Sequence, residues 1–372
     1  MNEIKGFGCL KNTVHMPKNI KKKLKVASLF SGCGGLDLGF AKAGFDIVYA
    51  NDNDGAVWET FEKNHGVDID KRSITEIKSN EIPGIDGVLG GPPCQSWSLA
   101  GAMRGINDNR GKLFYEYVRV LNDKKPLFFV AENVPGIISS AHKAEFEKII
   151  KKFSEIGYCI SYKLIDSRDY GVPQERKRVI IVGYREDIKK QFRFPEPSHY
   201  SSHVVSITGK QIKPWVALDE TIGDLPKAKP AKDKNKANEY TEFPNHEYMN
   251  GGFSTIYMSR NRKKEWGGQS FTIQAGGRHA PLHPDSTKMR KVGEDKWIFD
   301  SKKPEVRRLS VRECARIQTF PDDFIFYYKN ISDGYKMIGN AVPVKLAEAI
   351  AKQIMSDLKS IGSEKQKVKA VN

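Results

Sequence analysis

The first half of this 372-residue chain predicts an α/β fold, a mostly parallel sheet covered by helices on both faces. Two observations carry that prediction. Short apolar runs recur at 25–30, 46–52, 87–91, 126–133, 159–165 and 178–184, the length of buried strands. Segments with helical spacing of apolar residues lie between several of them. A third observation adds a second part: residues 195–305 turn rich in Pro, Gly, Lys and His and lose long periodicity, as a smaller irregular domain would.

In order along the chain, "KVASLF" at 25–30 reads as a buried strand, followed by the turn "SGCGG" and a helix over 36–43 closed by Gly44. "DIVYAND" is the second strand, and 55–64 a short helix with Val57, Trp58 and Phe61 on one side. "GVLGG" ends a third strand, 111–121 is helical, and "PLFFVAEN" is a continuous apolar fourth strand. Residues 141–156 make an amphipathic helix with Phe146, Ile149, Ile150 and Phe153 on its stripe. Strands at 159–165 and 178–184 close this part. Short strand candidates follow at 253–258 and 270–274. Ser310 and Glu313 are spaced as a capping box opening a helix to Gln318, and a longer helix is expected from Pro343 to about Leu358. The expected organisation is a basic leader (1–24), a sheet domain (25–194), the irregular domain (195–305), a return to the sheet domain (306–358) and a basic, flexible tail (359–372).

Lysines and arginines outnumber acids 61 to 45, a formal net charge of +16, which suits a polyanionic partner or a solubilising surface. No apolar run approaches a membrane span, and the polar N-terminus argues against a secretory signal. The five cysteines are widely spaced, with no C-x-x-C pair and no zinc-ligand spacing. Free thiols in a reducing cytoplasm and no metal are the expectation.

"FSGCGGLDLGF" follows a strand and opens a helix, the context of a nucleotide-binding turn. The dinucleotide fingerprint lacks its last glycine, because Asp37 stands there. A carboxylate at that point repels a pyrophosphate and tolerates an ammonium group, which tilts the reading toward S-adenosylmethionine; another small ligand or a plain tight turn is the alternative. Asp52, ending the second strand, suits a ribose clamp.

"GGPPCQSWS" places Cys94 behind two prolines at a strand end. A free cysteine is often a packed small hydrophobe; the alternative is a nucleophile held by stiff backbone. "AENV" puts Glu132 and Asn133 at the end of the neighbouring apolar strand, where a carboxylate is costly without a partner or a task. A thiolate with a glutamic acid of raised pKa matches attack on a pyrimidine: addition to C6 of cytosine makes C5 nucleophilic, provided N3 is protonated or hydrogen-bonded. In "QERKR", Arg176 and Arg178 share one side of a strand, either as a solvated edge or to hold the target and lower the thiol pKa. "GYKMIGNAVPV" reads as a loop that sets Gly339 and Asn340 just before a helix N-terminus. In the second domain Arg260, Arg262 and Arg278 are able to make bidentate bonds to guanine edges, or belong to a basic loop surface. A base inside a duplex reaches Cys94 only if flipped out.

From about 25 to 356 the chain resembles the DNA (cytosine-5) methyltransferases of bacterial restriction–modification systems, through "SLFSGCGGLDLGF", "GGPPCQSWS", "AENV", "QERKR", "RRLSVRECARIQTFP" and "GYKMIGNAVPV" in the family's order. The resemblance implies a Rossmann-like S-adenosylmethionine-dependent sheet domain with a target-recognition domain. It implies Cys94 as nucleophile, Glu132 at cytosine N3, and Arg176 and Arg178 in the active site. Phe30, Gly32, Gly34, Asp52, Asn53, Ser73, Ile74, Pro93 and Asn340 would hold the cofactor, and Ser98 would lie on a loop closing over the base. The stretch 252–284, with "FSTIYMSRNR", looks like the subgroup that methylates the inner cytosine of GGCC, with Arg260, Arg262 and Arg278 on guanines.

Asp52, Asn53 and Ser73 depart from the family, which usually has a glutamate, often an aromatic beside it, and an aspartate at these places. Duplex DNA is the implied partner, with a monomer in a bacterial cytoplasm, associated with the nucleoid through DNA. A cognate endonuclease that does not bind stably belongs to the same expectation. The competing readings are an RNA (tRNA) cytosine-5 methyltransferase and a catalytically silent DNA-binding protein on the same fold.

Overall fold

The computed structural model describes residues 23–92, 109–201, 212–238 and 241–370. Seven strands form one sheet: β1 (Lys25–Leu29), β2 (Asp46–Asn51), β3 (Ile69–Asp70), β4 (Gly87–Gly90), β5 (Phe128–Asn133), β6 (Tyr158–Asp166) and β7 (Lys177–Arg185). Their order is β3-β2-β1-β4-β5-β7-β6. β1 to β5 pair in parallel, and β7 runs antiparallel to both β5 and β6. The predicted α/β class with a parallel-dominated sheet is what forms. The reversal of β7 follows from its connection: only 167–176 separate it from β6, too short for a crossover helix. From β1 the chain moves to β2 and β3 on one side and to β4 and β5 on the other. A crevice therefore opens at the carboxyl ends of β1 and β4.

Eight α-helices follow the strands among the described residues: α1 (Gly35–Lys42), α2 (Trp58–His65), α3 (Asn109–Lys124), α4 (Lys143–Glu155), α5 (Leu218–Ile222), α6 (Val311–Ile317), α7 (Ile331–Asn340) and α8 (Val344–Ala370). Strand alternation sends Val26 to one face of the sheet and Ala27 to the other. On the first face α1 and α8 pack Phe40, Leu346, Ile350 and Ile354 over Val26, Phe128 and Val130. On the second, α3 and α4 pack Tyr117, Leu121, Ile150 and Phe153 over Ala27, Val88 and Phe129. Each of the Val, Leu, Ile and Phe side chains among them contributes about 1.5–3 kcal/mol through burial. A third core joins Leu218, Ile222, Met249 and Ile273 to Val311, Ile317 and Ile331, and to Ala50 and Phe61 from the first half of the chain.

Four expectations are corrected. Residues 253–258 and 270–274 form no strands: the first leads into the 3-10 turn Tyr257–Ser259, and the second makes a single bridge, Gln174 to Ser270. The hairpin of this region is Met289–Gly293 with Lys296–Phe299. Gly339 and Asn340 end a helix, α7, instead of lying in a loop. α8 continues past Leu358 to Ala370, because Ile354, Leu358 and Ile361 extend its buried stripe. Finally, Cys33 and Cys314 are buried free thiols, but Cys159 is disulfide-bonded; linear spacing does not say which cysteines meet in space. Among the described residues no helix is long and apolar enough to cross a membrane.

Candidate active site

At the carboxyl ends of β1, β2, β4 and β5 lies a cavity of about 500 Å³. It gathers Phe30, Gly32, Asp52, Asn53, Ser73, Ile74, Glu132, Arg176, Arg178 and Asn340 along its walls. Residues as far apart in sequence as Phe30 and Asn340 thus share one site, the strand ends bringing the first group together and α7 adding Asn340. Pro93, Cys94 and Ser98 lie outside the described residues.

The glycine turn is built from backbone that side chains rarely adopt: Phe30, Gly32 and Gly34 have φ of 55°, 56° and 86°. Gly34 caps α1 and does not line the cavity. Its role is spatial, since a Cβ there would fall 2.0 Å from His65 Nε2. His65 stacks on Phe61 (4.4 Å between centroids), and its Nε2 is 3.4 Å from the Cys33 carbonyl oxygen. Burial pushes its pKa down to about 4, so a neutral imidazole wedges the turn from behind.

From the front, Asp52 braces the same turn: Gly32 N–H donates to Oδ2 and Asp54 N–H to Oδ1, both at 2.9 Å. Burial raises the Asp52 pKa, opposed by these two donors. Each oxygen keeps capacity for a further donor. Asn51 ties the end of β2 to the Asp70 and Arg72 carbonyls (2.8 Å each), which places Ser73 and Ile74 on the rim. Ser73 caps the 3-10 turn Ile74–Glu76 and shares a 2.8 Å bond with the Thr75 hydroxyl.

Across the cavity Glu132, at the end of β5, pairs through Oε1 with Arg178 Nε at 2.8 Å, both side chains nearly buried. The segment leaving β4 is held here too. Asn133 Nδ2 donates to the Pro92 carbonyl at 3.2 Å, and a side chain at Gly91 would touch Glu132 Oε2 at 3.4 Å.

Two of the predicted arginines spend their donors on backbone carbonyls. Arg176 is 1% exposed and donates to the carbonyls of Ile273, Gly339 and Ala341, so its fork is not free for a target. Arg262 is 5% exposed, bonds the Tyr257 and Ile256 carbonyls and lies over the Tyr257 ring. Both satisfy buried backbone that no ladder serves. Arg260 and Arg278 are exposed and have no hydrogen-bond or ion-pair partner among the described residues.

Residues 24–356 match the C-5 cytosine-specific DNA methylase family. The chain belongs to that family. It is 59% identical over 340 residues to the Type II methyltransferase M.MthTI of Methanothermobacter thermautotrophicus, covering 91% of this chain and 99% of that one. It is 51% identical to M.FnuDI of Fusobacterium nucleatum, covering 93% and 97%. Among solved structures it is similar to the Entamoeba histolytica methyltransferase EhMeth, with a TM-score of 0.64 at 17% identity, covering 91% of this chain and 99% of that one. This C-5 cytosine DNA methylase is thus a Type II DNA methyltransferase, from an S-adenosylmethionine-dependent family.

The methylase's own residues fit that cofactor. The cavity has the volume of a small-molecule site. Ser28 Oγ and both oxygens of Asp37 are buried without a hydrogen-bond partner among the described residues. Burial raises the Asp37 pKa to about 7. With Asp52 on the rim, the cavity favours a ligand carrying positive charge over a pyrophosphate. The motif reading found the strand-end residues but missed Lys336, which lines the cavity and pairs with Asp54, and His65 behind the turn. Nothing in a linear pattern separates either from other lysines or buried histidines.

Proposed function

We propose that this methylase transfers a methyl group from S-adenosylmethionine to C5 of a cytosine flipped out of duplex DNA, the inner cytosine of GGCC, through a covalent Cys94–C6 bond. Phe30, Gly32, Asp52, Asn53, Ser73, Ile74, Pro93 and Asn340 hold the cofactor, with Gly34 shaping the turn. Residues 25–194 and 306–358 form the catalytic part and 195–305 the target-reading part. Arg260 and Arg278 contact guanines, and Ser98 lies on the loop over the flipped base. The protein acts as a monomer, beside an endonuclease of the same specificity that it does not bind stably.

The observation that supports this most is the Glu132–Arg178 pair at the point where Gly91 and Pro92 lead toward Cys94 in the sequence, on the rim of the cavity with Asp52 and Asn340. The Cys94 thiolate adds to C6 while Glu132 gives or shares a proton at N3. Electron density then reaches C5. Arg178 holds Glu132 in place and offers its remaining donors to the base. The cofactor, when bound, supplies an electrophilic methyl group at its sulfonium. A base removes the C5 proton, the C6–S bond breaks and the thiolate leaves.

The test is methyl transfer from labelled S-adenosylmethionine to duplexes that contain or lack GGCC. Label confined to the GGCC duplex is expected; equal labelling of both sinks the specificity. With 5-fluorocytosine at the target there is no C5 proton to remove, so the protein stays covalently attached to that duplex. Cys94→Ala abolishes both transfer and attachment while duplex binding persists.

A further inference from the structure

The turn that carries Arg278 and the end of α7 that carries Asn340 meet over three buried side chains from elsewhere. Arg176 Nη1 donates to the Ile273 carbonyl at 3.1 Å, and Nη2 donates to those of Gly339 and Ala341 at 2.9 Å each. Gln174, also buried, accepts from Ile273 N–H at 2.8 Å and donates to Gln318 Oε1 at 3.1 Å. Gln318 donates in turn to the carbonyls of Ile338 (2.8 Å) and Ala341 (3.3 Å). The two backbones also touch directly: a Cβ on Gly339 would lie 2.3 Å from the Gln274 carbonyl carbon and 2.4 Å from Ala275 N. Further along, a Cβ on Gly277 would lie 2.6 Å from the ring of Tyr335 on α7. From Ile273 to Gly277 the turn therefore has no position independent of the last turn of α7.

An arginine is an expensive way to fill a core. Desolvating it costs several kcal/mol, and Arg176 makes no direct ion pair among the described residues to offset that. What it adds is a rigid planar fork that fixes three carbonyls from two segments at a set spacing. Its Nε is buried without a partner among the described residues, the residue lines the cavity, and Arg178 two residues on holds Glu132.

We propose that Arg176, braced by Gln174 and Gln318, is a positioning residue that couples the target-reading turn to the end of α7 on the cofactor side, so that the cognate duplex and the cofactor each strengthen binding of the other. This rests on the reading above that Arg278 meets the target and Asn340 the cofactor. Linkage makes the coupling factor the same in both directions, and factors of about 5 to 150 are typical of coupled sites.

The experiment measures the Kd of S-adenosylhomocysteine alone and with saturating GGCC duplex, and the duplex Kd with and without S-adenosylhomocysteine. The proteins are the wild type, Arg176→Lys and Gln174→Met, each checked for a cooperative thermal transition. The expected result is a wild-type factor of about fivefold or more, equal both ways, near one with a duplex lacking the target, and reduced toward one in both variants. A wild-type factor of one, the same factor with non-target duplex, or variants that keep the full factor would each overturn the proposal. Should Arg176→Lys not fold, Gln174→Met decides, because it leaves the guanidinium in place. Failure of the wild type to bind either ligand would instead sink the functional reading itself.

Discussion

The sheet and the loop-rich stretch from 243 to 326 treat their arginines differently. In the sheet, ladder bonds satisfy the backbone, so polar side chains at strand ends are left over for a site: Asp52, Glu132 and Arg178 all stand at such ends. In the loop-rich stretch the carbonyls lack ladder partners, and arginines serve them. Arg308 bonds the carbonyls of Gly251 and Gly252, and Arg312 those of Pro244, Pro321 and Phe324, with both residues buried. Arg262 does the same nearer the exposed rim. A basic composition there is partly internal scaffolding, and the net charge of +16 overstates what is offered to a polyanion.

The contrast breaks most visibly at Arg312. Arg312→Met would strand its carbonyl partners, at a cost of about 3–5 kcal/mol in denaturant unfolding; a loss below about 1 kcal/mol would mean these carbonyls find other partners. The next effect probes the exception in the sheet half, Asp37, which is buried and unpaired. Its folded pKa of about 7 lies above its ordinary 3.8, so the folded state holds an extra proton between those values. The stability this group permits is full at low pH and declines as pH rises to about 7. Asp37→Asn removes that decline, so the variant should gain on the wild type across this window, by on the order of 4 kcal/mol. Parallel pH profiles of the two proteins would contradict it.

Gly34→Ala sharpens the comparison on the sheet side. Backbone strain and the His65 clash together are expected to weaken S-adenosylhomocysteine binding by about tenfold or more, read by calorimetry. The smallest effect on the fold is expected at Arg260. Arg260→Ala should shift stability by no more than about 0.5 kcal/mol. The same variant should weaken cognate duplex binding by about 1–3 kcal/mol, measured at fixed salt.

Much of the sheet half was legible because its chemistry sits at the ends of apolar runs. Glu132 stands out after "PLFFVA", and Asp52 after "DIVYAN", for that reason alone. Arg176 and Arg178 look equivalent in sequence, yet β7 begins at Lys177. Arg176 is therefore aimed by the preceding turn and not by strand alternation, and it ends in the interior. Arg260 and Arg262 divide in the same way, with one exposed and one buried against Tyr257. In irregular backbone no periodicity predicts which neighbour turns inward. α7 escaped notice because Gly334 and Gly339 read as loop residues; they are needed where Tyr328 and the 274–275 backbone press against the helix.

The reversed strand has a consequence for distance. β7 is nine residues long, and Arg178 stands at its beginning, beside the close of β5, with Asn133 opposite Val179. Had β7 run parallel to its neighbours, its first residues would have emerged at the far edge of the sheet, roughly 25 Å away at about 3.3 Å per residue. Turning one strand end for end carries a guanidinium across the full length of that strand and delivers it to the carboxylate that waits at the close of β5.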